Sequence, residues 1–444
     1  MMGNKRKIGL LLAAMAVFAT ACSGGKTPST AAPEAGKDAA KQAEQKKEPV
    51  ELVFYSQVAD YDQTFMDTFG TMIQKKFPHV TVKHLPAGSN KVADVVASGQ
   101  TIDVMFMSIG QADTLTTYNY QYDISELIKT RKYDLSKLEP SAVELQKGFA
   151  NSGMYGLPVF TNTLGLFYNK NLFDKFGVEY PKDGLTWDQL KDLAKRLSRS
   201  EGGVKYNGLV MSSSANIVLN QYSAAYLDPA TKKSIFTTDN FKKAFELLTS
   251  VAKIPNNELT AQNWALAAQQ KMFFQDQSAA MLLHFVVLSL STLKDQFNWD
   301  IATFPQLADK PGVGPQSYPT YFYVTKTSKH KEDAFDVIAY LTTEEFQSHL
   351  AKKGMLPILK DRVAGMSQFG QDVPTLKNKN VKALLPEKFA PSALTKVEVV
   401  KGQSPGHTAF FDAYQNVVLG TKDTNTALRE AGEKLDQQLA NVLK

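Results

Sequence analysis

The side chains of this chain that could do chemistry are amides, hydroxyls and aromatic rings, and they gather where predicted strands end. The strand over 51–55 empties into Ser56 and Gln57, and ligands of open α/β sheets bind at such strand ends. Ser108 and Gln111 leave the end of a second strand, where Ser108 reads equally well as a plain turn cap. Thr161 and Asn162 make a polar pair between two apolar runs, while Asn216, Asn220 and Gln221 recur at helical spacing on what reads as a cleft-facing surface. Carboxamides both donate and accept, which suits a hydroxylated solute. Trp264, in the polar and Ala-rich stretch ELTAQNWALAAQQ, reads as a stacking platform or as a packing residue. The Gly and Pro of KPGVGPQSYP make a loop, and Tyr318, Tyr321 and Tyr323 could form an aromatic wall, with Tyr321 and Tyr323 on one face and Phe322 on the other. Tyr118, Tyr120 and Tyr122 alternate in a way that favours packing over a sugar platform.

Catalytic signatures are missing. There is no HExxH, GxSxG, Walker A or CxxC, and the histidines are scattered, so neither a metal nor another cofactor is expected. Glu344 and Glu345 are adjacent on a predicted helix and do not face each other. The two carboxylates of a glycosidase can lie anywhere in sequence, however, so an extracellular carbohydrate-active enzyme stays open as an alternative.

Those candidate groups need elements to position them. Lys5, Arg6 and Lys7 precede an apolar run over 8–19, too short to span a bilayer comfortably, and small residues follow. This reads as a secretory signal over 1–21. Ala19, Thr20, Ala21 and Cys22 resemble a lipobox, in which the cysteine takes a diacylglyceryl group and becomes the mature N-terminus, although that pattern prefers Leu where Ala19 stands. Cys22 is the only cysteine of the 444 residues, so an exported form has no intramolecular disulfide. Residues 22–49 carry no aromatic side chain and almost nothing large and apolar, which predicts a flexible tether. The rest is long enough for two or three domains, and 43% hydrophobic content is ample for their cores. Of the formal +6 charge, Lys5, Arg6 and Lys7 leave with the signal, and no basic stripe with interleaved aromatics remains to bind nucleic acid.

The stretch over 156–197 reads strand, polar turn, strand, helix. Pro158 lacks a backbone donor and suits a sheet edge or a crossover. Thr186 with Gln189 makes a capping box, and Leu190, Leu193, Ala194 and Leu197 follow on one face. Phe241, Ala244, Phe245, Leu248 and Ala252 form the apolar face of another helix, and Leu428, Ala431, Leu435, Leu439 and Val442 a stripe along the last one.

These residues also carry a resemblance. YGLP, the turn, LGLFYNKNLFDKFGV and TWDQLKDLAKRL resemble the crossover region of family 1 bacterial extracellular solute-binding proteins, the maltose-binding-like class. FPHVTV, ADVVASGQTIDVMFM, FFQDQSAAM, WDIATFP and VTKTSKHKEDAFDVIAYLTTEEFQSHLAKKGMLP follow in that family's order. The resemblance implies an α/β, two-lobed periplasmic-binding-protein fold of the class II type, with lobe 1 at 50–160 plus 304–355 and lobe 2 at 161–303 plus 356–444. Crossings are expected near 158–162, 302–305 and 355–357. It also implies a monomeric receptor, held to the outer face of the cell membrane by the lipid on Cys22, that closes on a small solute, most readily a carbohydrate, and delivers it to the permease subunits of an ABC importer. A receptor feeding a sensor kinase is the other binding role consistent with it. The loop after Ala-Ala-Met points into the cleft in this family, which nominates His284 and Phe285, although the family often has Gly and Trp there. With them, Gln57, Ser108, Asn162, Trp264 and Tyr321 complete the expected solute-binding set.

Overall fold

The computed structural model describes residues 47–58, 63–394 and 396–442, so the expected secretory signal, Cys22 and nearly all of the expected tether lie outside the described residues. No helix among the described residues is long and apolar enough to cross a membrane. Fourteen strands are described in chain order: β1 Val50–Ser56, β2 Val80–Pro86, β3 Val104–Ser108, β4 Gly156–Thr161, β5 Leu164–Asn169, β6 Arg199–Glu201, β7 Val204–Tyr206, β8 Val210–Met211, β9 Met281–Phe285, β10 Trp299–Ala302, β11 Val313–Gln316, β12 Thr320–Val324, β13 Leu356–Pro357 and β14 Lys388–Ala390.

They build two main sheets. The first has the order β13-β4-β12-β3-β1-β2 and the second β10-β5-β9-β8, with small two-stranded pairs β11-β14 and β6-β7 beside them. In the first sheet β1 runs parallel to β2 and β3, while β12 runs antiparallel to β3 and β4. The strands β1, β3 and β4 therefore all end on the same edge, toward the second sheet.

Alternation sorts each sheet into two cores. Phe54, Phe106 and Phe322 bury on one face of the first sheet with Phe335 and Phe346 from the helices Lys331–Tyr340 and Glu344–Lys352. Tyr55, Met105, Met107, Tyr321 and Tyr323 bury on the other, beneath the helix Pro140–Phe149. In the second sheet Leu166, Met281 and Leu283 join the helix Trp187–Leu197 and the C-terminal helices, and Phe167, Leu282 and Trp299 face the helix Leu266–Phe274. The capping box of Thr186 with Gln189 is formed, and Leu428, Ala431, Leu435 and Leu439 are buried as the stripe requires.

Pro158 sits in β4, between β12 and the edge strand β13. The register slips at Thr320/Tyr321, next to Pro158, and β13 pairs only with Thr161 and Phe160. The missing donor thus falls at an irregular, edge-like position, where a sheet tolerates it.

The crossings differ in part from the sequence expectation. The first lies at 162–163, between β4 and β5. Residues 304–316 stay with the second sheet, because Gln221 Nε2 donates to Pro305 O at 3.1 Å and Val313 O at 2.7 Å, and Gln316 N donates to Leu219 O at 2.9 Å. The passage to the first sheet comes at 317–319. Past Pro357 the chain remains on the first sheet, where Ile358 buries with Leu138 and Lys360 N donates to Lys137 O at 2.8 Å. Leu356 of β13 already touches the second sheet's core, and the chain buries into that core again at Phe369, Leu376 and Leu384.

Candidate functional site

The ends of β1 and β3 carry a small network of amides and hydroxyls. Ser108 and Gln111 form a capping box around the short 3-10 turn Ile109–Gln111. The Ser108 hydroxyl donates to Gln111 Oε1 at 3.1 Å, and Gln111 Nε2 donates to the Gln57 carbonyl at 3.1 Å. The turn thereby ties the two strand ends together. Gln57 is anchored by its N–H to Phe106 O at 2.9 Å, and its side-chain Oε1 is shielded from water without a partner. A shielded amide oxygen without a donor is an unmet acceptor, open to a solute N–H or O–H once the groups that cover it move aside.

At the crossing, two chain segments are laced together. Asn162 N donates to Tyr318 O at 3.1 Å and Tyr318 N to Asn162 O at 2.9 Å, while the hydroxyls of Thr161 and Ser317 meet at 2.9 Å. Asn162 Oδ1 accepts from Thr163 N at 2.9 Å and from Val287 N at 3.3 Å, so it caps the helix Val286–Thr292 from another strand. Phe285 ends β9 opposite Leu164, partly exposed, with its ring centroid 5.5 Å from that of Tyr318.

Of the seven expected solute-binding residues, Gln57, Ser108, Asn162 and Phe285 thus stand at strand ends or at the crossing. Tyr321 does not. It is fully buried on the inner face of the first sheet, with its hydroxyl donating to Ala142 O at 2.8 Å, and presents no wall to a solute. Alternation correctly put Tyr321 and Tyr323 on one face, but that face is covered by a helix. His284 is likewise inside. Its Nε2 accepts from Gln270 Nε2 at 2.9 Å, its Nδ1 has no partner, and burial pushes its pKa down to about 4, so it is a neutral core group. Trp264 is partly buried against the large core of the second sheet, and its carbonyl accepts from Gln269 Nε2 at 2.8 Å.

The three amides read as facing a cleft lie inside instead, Asn216 on the helix Ser213–Val218 and Asn220 and Gln221 just past its end. Asn216, Asn220 and Gln221 are all buried. Asn220 Nδ2 donates to Ile217 O at 2.6 Å and Ala224 O at 2.8 Å, and Gln221 Oε1 accepts from the Trp187 indole at 2.9 Å. Tyr118, Tyr120 and Tyr122 pack against the two cores of the first sheet.

Two residues outside the expected set belong to the site. Gln111 links Ser108 to Gln57, and the S-x-x-Q spacing of SIGQ was a readable capping-box signal. Tyr318, named in the aromatic-wall reading of its Gly- and Pro-rich loop though not among the seven, stands between Ser108 and Phe285.

A separate groove of about 1140 Å³ lies near the β13 side of the first sheet, lined by Glu139, Pro140, Leu145, Arg362, Phe389 and Pro391 among others. Its charges are internally matched. Arg362 pairs with Glu139, donates to Pro386 O at 3.2 Å and lies 4.8 Å over the Phe389 ring. None of the seven expected residues lines it.

This architecture matches known proteins along most of its length. The family of bacterial extracellular solute-binding proteins matches residues 55–348, and the chain belongs to that family. A binding protein of Brucella abortus (strain 2308) is 24% identical over 366 residues, covering 79% of this chain and 80% of the relative. The multiple sugar-binding protein of Streptococcus mutans is 20% identical over 324 residues, covering 68% of this chain and 73% of its own. Among solved structures, the cyclic alpha-maltosyl-1,6-maltose binding protein from Arthrobacter globiformis superposes with a TM-score of 0.71 at 17% identity, over 88% of this chain and all of that one. The fold is therefore that of the two-lobed solute-binding proteins, and the chain is a solute-binding protein that works outside the cytoplasm.

Proposed function

We propose that the chain is the receptor of an ABC importer for a neutral, hydroxylated solute, a carbohydrate or sugar alcohol, and that it binds without chemically altering it. The observation that carries this reading is the set of uncharged groups at the strand ends. The shielded Oε1 of Gln57 and the Ser108–Gln111 pair stand on the first sheet, and Asn162, Phe285 and Tyr318 stand at the crossing. Amides read hydroxyls, and a partly exposed ring gives the apolar face of a sugar something to stack on. Names among the relatives agree in kind: the Streptococcus mutans protein is called multiple sugar-binding, and the Arthrobacter globiformis structure is named for a cyclic maltosyl-maltose.

In this reading the two sheets are the cores of two lobes that rock about 162–163, 317–319 and the segment between 362 and 376, where a few residues absorb the rotation. The protein acts as a monomer tethered through a lipid on Cys22, within reach of the permease subunits. A thermal-shift screen over a panel of mono- and oligosaccharides and sugar alcohols, followed by chromatography of the recovered sugar, tests it. A receptor raises its melting temperature with one or a few solutes by mass action and returns them intact. Cleaved sugar would make the protein an enzyme, and a flat screen would remove the carbohydrate assignment. For the anchor, Cys22→Ala should move the protein from the membrane fraction to the medium or leave it unprocessed.

A further inference from the structure

Tyr318 is held at both ends. Its backbone N–H and C=O are both bonded to Asn162, at 2.9 and 3.1 Å. Its ring packs against Phe285 of the second sheet, with centroids 5.5 Å apart and planes inclined at 53°. Its hydroxyl lies against the Ser108 side chain and the Gly110 backbone on the first sheet. A methyl group on Gly110 would come within 2.0 Å of the Tyr318 oxygen, so only glycine there admits the tyrosine in this position. The side chain packs on apolar clusters of both sides, with Ile109 and Leu115 on one and Leu164 and Leu219 on the other. In this arrangement of the two sheets the ring is held at its backbone, face and tip and forms a wall at the crossing.

We propose that Tyr318, seated by Gly110, is a specificity-determining residue that sets the size of the solute by forming a rigid floor between the two sheets. This rests on the reading of the strand-end groups as a carbohydrate site. Two consequences follow. The Ser108 hydroxyl, the Gln111 amide and Asn162 Oδ1 are engaged by protein, so the solute is read chiefly by Gln57, whose Oε1 has no donor. The depth open to a solute is also shorter by about one aromatic ring, a space comparable to a sugar ring.

The test uses the full chain and titrates a sugar series of increasing length against wild type, Tyr318→Ala, Tyr318→Phe and Gly110→Ala, with circular dichroism to confirm folding. Binding of any sugar by wild type addresses the carbohydrate reading alone. For the floor, Tyr318→Ala should raise the affinity for a solute one ring longer, relative to the best wild-type solute, at least fivefold. Tyr318→Phe keeps the ring and should keep the wild-type ranking. Gly110→Ala, which dislodges the hydroxyl without removing the ring, should shift the ranking in the same direction by a smaller factor. A readout free of sugar uses p-cresol, which has the shape of the missing side chain. It should raise the melting temperature of Tyr318→Ala and not that of wild type, because it refills the vacated space. A ranking within twofold of wild type in Tyr318→Ala, or no p-cresol stabilisation specific to that variant, overturns the proposal. If Tyr318→Ala fails to fold, an unchanged ranking in Gly110→Ala overturns it equally.

Discussion

Two groups of carboxamides flank the crossing strands, and the fold puts them to opposite use. On the first sheet, Gln57 and Gln111 sit past strand ends, partly exposed, with Gln57 Oε1 left without a donor. On the second-sheet side, Asn220 and Gln221 lie within a turn of a helix end, and nearly every polar atom they own is satisfied by backbone or by Trp187. Residue type is the same in both. What differs is whether the backbone nearby has partners of its own. At the strand ends the amides serve only the exposed margin of the sheet, where Gln111 bonds Ser108 and the Gln57 carbonyl and Gln57 Oε1 has no donor, whereas the irregular chain after the helix Ser213–Val218 leaves buried carbonyls that only a side chain can satisfy. Amide-rich stretches therefore report a solute site only when the local backbone leaves at least one amide group unclaimed.

The sharpest way to break this comparison is to remove an amide of the buried set. Gln221→Ala would strand the Trp187 N–H and the carbonyls of Pro305 and Val313 in the interior. We expect roughly 3 kcal/mol of lost unfolding free energy, the scale of several unpaired buried groups, with solute affinity unchanged at temperatures where the variant is folded. Urea unfolding beside a sugar titration separates the two. A variant of normal stability with weakened binding would move Gln221 to the solute side.

Acid provides the next effect. Burial pushes the pKa of His284 and of His407 down to about 4, from an ordinary value near 6.5. A depressed imidazole is neutral in the folded protein and protonates more readily when unfolded, so the unfolded state binds more protons between the two values. Stability is then full above about pH 6.5, falls as pH drops toward 4, and levels off below, by up to about 3 kcal/mol per group. His284→Gln, which can still bond Gln270, should remove its share of that slope. Equal slopes in wild type and variant between pH 7 and 4.5 would show that His284 is not a buried neutral group.

How much of this was legible in the sequence follows the same division. Elements with strong periodicity came out as read: the strand at β1, the capped helix after Thr186 and the stripe of the last helix all depend on local spacing. Tyr321 and Tyr323 were correctly assigned to one face, but spacing along a strand says nothing about which helix covers that face, and the Pro140–Phe149 helix hid it. The family's Ala-Ala-Met pattern located β9, yet its parity put His284 toward the core and Phe285 toward the gap. Tyr318 was legible in the sequence as part of an aromatic wall, but spacing could not say what seats it. Its position depends on Asn162 and Gly110, both distant in sequence, and on a loop without period.

Trp264 tests the same contrast with a ring in place of an amide. Packed against the core of the second sheet, it should cost about 2 kcal/mol of stability as Trp264→Ala, less than a fully buried indole, with affinity within twofold of wild type. A loss of that size in binding instead, with unfolding unchanged, would make it the stacking platform that its Ala-rich setting also allowed.

The smallest effect on stability is expected where the amide's partners are partly exposed. Gln111→Ala removes one acceptor from the Ser108 hydroxyl and one donor to the Gln57 carbonyl, both partly exposed, and water can replace them. Stability should fall by no more than about 1 kcal/mol. Affinity should nonetheless drop several-fold, because the turn that Gln111 closes holds the ends of β1 and β3 in register, and a solute reading Gln57 and its neighbours together would meet them loosened. Gln111→Glu sharpens the result: it keeps the acceptor for Ser108 but cannot donate to Gln57, so it should weaken binding about as much as alanine does. If Gln111→Glu binds like wild type, the link to Gln57 is irrelevant to the solute, and the strand-end amides would be no more a reading surface than the buried ones across the crossing.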